Sequence, residues 1–498
     1  MLITFVVLYL VLTIAVGLWA ATLVHNSRDY VLAGRSLPLY MSAATVFATW
    51  FGAETVLSVS ATFSRDGLGG IVADPFGSSF CLLFVALFFA RAFYRMDLLT
   101  IGDFYHKRYN KPVEVATSLA ITLSYLGWTS AQLTALGLVF SVLSGGAISL
   151  ETGIYLGAAI VLGYTIWGGM WSIAMTDLVQ SVVILIGLAL VAWLVADMAG
   201  GAGKVIAAAA EAGKFEFWPK GGAKEWLTFL AAWMTLAIGS IPQQDIFQRV
   251  TSAKNEHTAV RGCLIGGVVY FSFAFVPIFI AYAALVIDPG YAKLFAGEDA
   301  REIQRILPNL ILEKTPLWAQ VLFFGALLSA IMSTASGALL APTSLFTENV
   351  IRPFTRHMGD RQFLLLLRVV LVNFTLAALI FAINSKSTMY EMVQNAYKVT
   401  LVSCVVPLVA GLYWNRANVP GAALAVAFGL LSWGIAELIA ADATVPPQLV
   451  GLGFSILGML LGSYVPRPAR ERAEAHGHAA AHEHPAAREH TAAREPHR

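Results

Sequence analysis

The sequence predicts an all-α polytopic membrane protein with about thirteen transmembrane helices, and two observations carry that expectation. The first is composition: 58% of the 498 residues are apolar and only 12% are charged, outside the range of soluble globular chains. The second is spacing: apolar runs near the ~20-residue length of a bilayer crossing recur from end to end, leaving no room for a large soluble domain.

The expected spans are about 3–23, 38–63, 71–94, 113–143, 147–167, 172–197, 226–248, 260–287, 316–346, 363–384, 390–413, 419–440 and 446–465. The first starts at Leu2 with no basic segment before it and is long enough to cross, so it reads as a retained helix, not a cleaved signal peptide. Residues 1–466 form the expected transmembrane domain. After Pro466 the composition turns to Ala, Glu, Arg and His with no apolar period, which predicts a disordered, solvated tail over 467–498. Its histidines could bind a metal loosely, but nothing fixes a ligand geometry.

Orientation follows from the loops, because Lys and Arg are retained on the cytoplasmic side. Arg28 and Arg35, Arg95 to Lys111, Arg249 to Arg261, and Arg352 to Arg361 fall on one side, with the tail. An inner (plasma) membrane protein with its N-terminus outside and its C-terminus in the cytoplasm is expected. The net charge of +2 comes without a basic stripe, so nucleic acid is not an expected partner. Cys81, Cys263 and Cys404 sit in apolar spans without metal spacing, and neither a disulfide framework nor a zinc site is expected.

Two spans are interrupted. In AATVFATWFGAETVLSVSATF, Ala43 to Phe63, Gly52 weakens the helix and Glu54 places a carboxylate in the bilayer. In the second, Gly239-Ser240-Ile241-Pro242 breaks the run from Trp226 to Val250. Lipid cannot hydrate freed backbone groups, so a broken helix survives only where it lines a protein cavity. Each interruption begins a group of five helices, about 38–197 and 226–413, and such paired breaks point to a transporter's binding site.

The polar residues cluster near these breaks. In the ninth span, Ser329, Ser333 and Ser336 share a helix face, with Ala330, Thr334 and Gly337 on the adjoining stripe. Neutral hydroxyls and carbonyls suit a sodium site, and equally suit close helix packing. Asp177 follows Trp167-Gly168-Gly169 into the sixth span, where a carboxylate needs a cation or a donor. Trp50, Glu54, Asp74, Trp128, Gln132, Gln243, Gln244 and Asp245 are the candidate solute ligands. Tryptophan faces attract organic cations. The glutamines would suit a neutral pocket if the acids are protonated, or paired with one another and with Arg249. Lys398 fits a snorkelling anchor.

WGGMWSIAMTDLVQ, SAIMSTASG and CVVPLVAGLYWNRANVPGAAL occur in that order, and together they resemble the sodium:solute symporter family over nearly all of the chain to Pro466. FATWFGAE, IPQQDIFQRV and IMSTAS are most similar to its high-affinity choline transporter branch. The resemblance implies a core of two inverted five-helix repeats with discontinuous first and sixth core helices, one helix before it and two after. It implies sodium held by the carbonyls of Ala48, Phe51 and Ala330 and the hydroxyls of Ser333 and Thr334. Asp177 then matches an acid beside a second sodium position or the ion's exit path. Trp50 and Trp128 match two aromatic walls of a choline pocket. Gln243 stands where the branch has an aromatic residue, another wall residue is replaced near Ser78, and Glu54, Asp74 and Asp245 are additional acids.

The expected function is therefore sodium-coupled import of a small organic solute, choline-like or another cationic amine, by alternating access. The expected partners are that solute, Na⁺ as coupling ion and the lipid bilayer, with no cofactor. The alternatives are a transporter-fold membrane sensor, or a symporter for a neutral or anionic solute such as an amino acid or monocarboxylate. No nucleophile–base pair or HExxH motif suggests an enzyme.

Overall fold

The computed structural model of the protein describes residues 1–296, 300–355 and 358–464. The tail expected at 467–498 lies outside the described residues. Helices dominate the described residues; the sole β feature among them is an isolated bridge between Leu37 and Ala253.

Each expected span is met by helix. α1 (Leu2–Leu23) leads in. The first group of five then begins with α2 (Leu39–Trp50) and α3 (Glu54–Asp66), two halves of one span bent by 55°. α4 (Leu68–Arg95) follows, and a short side helix, α5 (Ile101–Arg108), connects it to α6 (Lys111–Leu143). α5 starts on a capping box in which Thr100 accepts from the Asp103 amide and Asp103 reaches back to Thr100, satisfying amides that have no partner within the helix.

α7 (Leu150–Met198) holds the two expected spans: two helices that meet across a kink at Gly169, its one non-helical residue at φ 50°, ψ −137°, where the double glycine predicted the turn. A side chain there would place Cβ 2.3 Å from the Tyr30 carbonyl, so glycine both adopts the left-handed φ and admits the Tyr30 backbone.

The second group opens with α8 (Ala223–Ala237) and α9 (Gln244–Ser252), separated by the expected break. α10 (Glu256–Ile287), α11 (Leu317–Phe346) and α12 (Asp360–Asn384) follow. The fifth span is α13 (Met389–Ser403) and α14 (Val405–Tyr413), bent by 44°. α15 (Val419–Ile439) and α16 (Pro447–Ser463) pack on each other after the core.

Burial sorts centre from periphery. The most apolar stretch of the α11 span is 83% buried and that of α1 only 22%, so α11 is an internal element and α1 faces lipid. α11 packs against α6 and α7, α13 against α6, and α2 against α7 and α10. The two helix breaks thus meet the polar face of α11 and the face of α13.

Candidate functional site

The first break is held open by side chains from α6. Gly52 and the non-helical Phe51 (φ −87°, ψ 72°) end α2, and the amides that follow need partners outside the helix. Gln132 supplies one: its Oε1 accepts from the Ala53 amide at 3.0 Å, while its Nε2 donates to Glu54 Oε2 at 2.6 Å. The Trp128 indole N–H donates to Glu54 Oε1 at 3.1 Å. Gly52 leaves no room for a side chain, since a Cβ would lie 2.5 Å from Glu54 Oε2 and 2.8 Å from Thr334 Oγ1. Trp128 and Gln132 stand at i and i+4, which is why one helix face serves both contacts.

Beside this carboxylate stand three aromatic rings. Trp50 and Trp128 have centroids 6.4 Å apart, Trp50 and Tyr397 6.4 Å, and Trp128 and Tyr397 6.0 Å. All three are almost fully buried. Tyr397 was missed by sequence reasoning, which noted only Lys398 in this stretch. The available signal was the spacing Tyr390, Gln394, Tyr397, at i, i+4 and i+7 on one face of α13.

The sodium candidates fall into two contacts on adjacent residues of α11. The Thr334 hydroxyl donates to the Ala48 carbonyl at 3.3 Å, one of the carbonyls that a helix end leaves unpaired. The Ser333 hydroxyl donates to Asp177 Oδ1 at 2.6 Å, while Asp177 Oδ2 is buried without a partner. Phe51 and Ala330 are fully buried, the first at the break and the second one turn before Ser333 and Thr334. This set of hydroxyl, carbonyl and carboxylate oxygens matches what a hard monovalent cation takes up.

The remaining candidates are distributed around this centre. Asp74 accepts from Thr55 Oγ1 at 3.1 Å and from the Tyr270 hydroxyl, so it is paired behind the break. Gln243 donates to Ser124 Oγ at 3.0 Å, one turn before Trp128 on α6. Asp245 is bonded by Tyr125, whose ring packs 5.8 Å from Trp128. Gln244 is carried elsewhere: its Oε1 accepts from the Ile101 amide at 2.8 Å and so caps α5. Arg249 forms no ion pair among the described residues. The acids are therefore not paired with it, the arrangement that a neutral pocket would have used. Lys398 stands 3.7 Å from Glu437 of α15, an ion pair where a snorkelling anchor was expected.

Two features flank the centre. On one side a cleft of about 560 Å³ is lined by Asp66, Glu216, Trp218, Tyr390 and Gln394, among others. The Tyr390 hydroxyl donates to the Gly70 carbonyl at 3.3 Å. On the other side Asn349 donates to Asp103 Oδ1 and Glu114 Oε1, both at 2.8 Å, and accepts from Thr100. Burial pushes the Asp103 carboxyl above its ordinary range.

The chain is similar to known proteins in sequence and in fold. Residues 30–429 match the sodium:solute symporter family. The chain is 27% identical to high-affinity choline transporter 1 of Caenorhabditis elegans over 86% of this chain and 76% of that one. It is 24% identical to the osmoregulated proline transporter of Bacillus subtilis over 93% and 94%. Its fold is similar to that of a Na⁺-coupled sialic acid symporter, with TM-score 0.77 at 19% identity, covering 94% of this chain and 98% of that one. A nucleobase–cation symport-1 family transporter is similar at TM-score 0.58 and 15% identity, covering 87% and 93%. The expected core of two inverted five-helix repeats with broken first and sixth helices is thus the fold of this chain. An integral membrane protein with that core, matched to the family over most of its length, belongs to the sodium:solute symporter family and is a sodium-coupled symporter.

Proposed function

We propose that the protein imports a small organic cation, choline-like in having a quaternary or protonated amine, together with sodium. One arrangement carries this reading: Trp50, Trp128 and Tyr397 form a buried cluster of three aromatic rings beside the Glu54 carboxylate. Ring faces attract a desolvated ammonium group, and a neighbouring carboxylate reinforces the preference. Similarity to choline transporters supports the same chemistry. Sodium sits between α2 and α11, on the Ala48, Phe51 and Ala330 carbonyls and the Ser333 and Thr334 hydroxyls. Asp177 with Ser333 makes a second position. Bound sodium ties α2 to α11, completes the aromatic site and favours the state open to the outside; its release favours the state open to the cytoplasm. The Lys and Arg distribution supports an N-terminus outside and a cytoplasmic C-terminus.

A second reading has one observation in its favour. Both Glu54 oxygens already accept hydrogen bonds, from Trp128 and Gln132, so the carboxylate is partnered without a cation, and a zwitterion such as proline would fit the similarity to the proline transporter. Thermal unfolding of the purified protein decides between them. Choline, proline, pyruvate and a hexose are each added with and without sodium. Choline is expected to raise the midpoint in a sodium-dependent way. Stabilisation by proline alone would favour the second reading, and stabilisation by pyruvate or the hexose alone would overturn the cation reading. The sodium ligands are tested by Ser333→Ala/Thr334→Ala, which should raise the sodium concentration needed for uptake while membrane insertion is unchanged.

A further inference from the structure

Arg249 is the least explained side chain in the core. It lies on α9, 2% exposed, and its one hydrogen bond among the described residues is from Nε to Thr49 Oγ1 at 2.9 Å. Both terminal nitrogens, Nη1 and Nη2, are buried without a partner. A guanidinium carries five donors and stays charged, so burying it with its fork empty is expensive unless it moves between partners.

Its neighbours say which partner is within reach. Thr49 belongs to the last turn of α2, next to the proposed sodium carbonyls. The guanidinium lies over Gly337 of α11, where a Cβ would stand 2.5 Å from Nη2. Ser333 is one turn from Gly337 on the same face, and Ser333 holds Asp177, whose Oδ2 is unpartnered. Asp245, one turn back on Arg249's own helix, is tied to Tyr125 on one oxygen. Its Oδ2 is unpartnered like that of Asp177, and what sets Asp177 apart is its place in the proposed sodium position.

We propose that Arg249 and sodium compete for the Asp177 carboxylate. The proposal rests on the reading of Asp177 and Ser333 as a sodium position. With sodium present the guanidinium stands off, bonded to Thr49. When sodium departs it slides along the Gly337 gap and pairs with Asp177 Oδ2. The empty carrier is then not left with a bare carboxylate in the bilayer, and it can return for the next cycle. Arg249 is a positioning residue in this scheme: it touches neither solute nor sodium.

The test uses the purified full chain, with the unfolding midpoint titrated by NaCl against KCl at constant ionic strength. Arg249→Gln removes the competitor and should lower the half-saturating sodium by roughly tenfold, the order expected when one unit charge is taken from a partly screened site. Arg249→Lys keeps the charge and should stay close to the wild type. Thr49→Ala releases the guanidinium from its resting place and should raise the half-saturating sodium. In proteoliposomes Arg249→Gln should slow net uptake, which needs return of the empty carrier, more than it slows solute exchange, which does not. Asp177→Asn should blunt the sodium response, and adding Arg249→Gln to it should lower the half-saturating sodium no further. If Asp177→Asn responds to sodium as the wild type does, the sodium position itself is wrong. If Asp177→Asn is blunted while Arg249→Gln keeps wild-type half-saturation, competition by Arg249 is wrong. Should Arg249→Gln fail to fold, an unchanged response in Thr49→Ala overturns the proposal by itself.

Discussion

Replacing Trp50 by Leu separates attraction to charge from simple packing. Trp50 is 5% exposed, with Trp128 and Tyr397 each 6.4 Å away, so a cation held against its ring is stripped of water. A desolvated cation–π contact with a tryptophan contributes about 2 kcal/mol, which corresponds to about thirtyfold in affinity. Leu also gives up apolar area, but a neutral solute of the same shape gives up that share too. The informative quantity is therefore the ratio of choline affinity to that of 3,3-dimethyl-1-butanol, in which carbon replaces the quaternary nitrogen. Calorimetric titration in saturating sodium should show this ratio falling about thirtyfold in Trp50→Leu. If both ligands weaken by the same factor, Trp50 only packs, and the cation-binding argument fails with it.

Further substitutions test the scaffold around the pocket. Gln132→Leu leaves the Ala53 amide and Glu54 Oε2 without the partners they have at 3.0 and 2.6 Å. At about 1–3 kcal/mol for each buried group left unpaired, it should lower the unfolding midpoint and weaken solute binding together. Gly239→Ala places a Cβ 2.3 Å from the Thr235 carbonyl and 2.8 Å from the Tyr397 carbonyl, so the second break must shift; transport should be lost even where the variant reaches the membrane, as a flux assay on surface-quantified protein will read. Asn349→Ala removes the donor shared by Asp103 and Glu114 and the acceptor for Thr100. It should raise modification of cysteines introduced along the route between that cluster and the pocket, and an unchanged labelling rate would show that the cluster does not seal that side.

Much of this architecture was legible because it is written in local rules. Gly52 weakens its helix and Pro242 lacks a backbone donor, and a carboxylate in an apolar run demands a cavity, so both interrupted spans were found. The hydroxyl stripe on α11 was legible for the same reason, as a spacing on one face. Partnerships between distant segments were not. Nothing near Gln244 tells that its amide will cap α5 while Gln243, one residue earlier, meets Ser124. Tyr397 was overlooked because an aromatic residue in an apolar span is usually packing, and only the fold brings it to Trp50. Gly169 was legible by the same kind of rule: a double glycine suggested a turn between two spans, and its positive φ is where the two helices of α7 meet.

The face of α13 carries Tyr390 and Gln394 at the cleft, Tyr397 in the aromatic site and Thr400, which donates to the Gly239 carbonyl at 2.7 Å. Ten residues at about 1.5 Å each make a path of about 15 Å along one rigid rod. Entrance, pocket and second hinge are therefore graduations on a single ruler. A small tilt of that rod changes all three in fixed proportion, so a passenger at the mouth, a passenger in the pocket and the angle of the hinge cannot be adjusted independently. Mutations that alter selectivity from this helix should for that reason also alter turnover, whereas those on α6, which reaches the pocket without lining the cleft, are free to change one without the other.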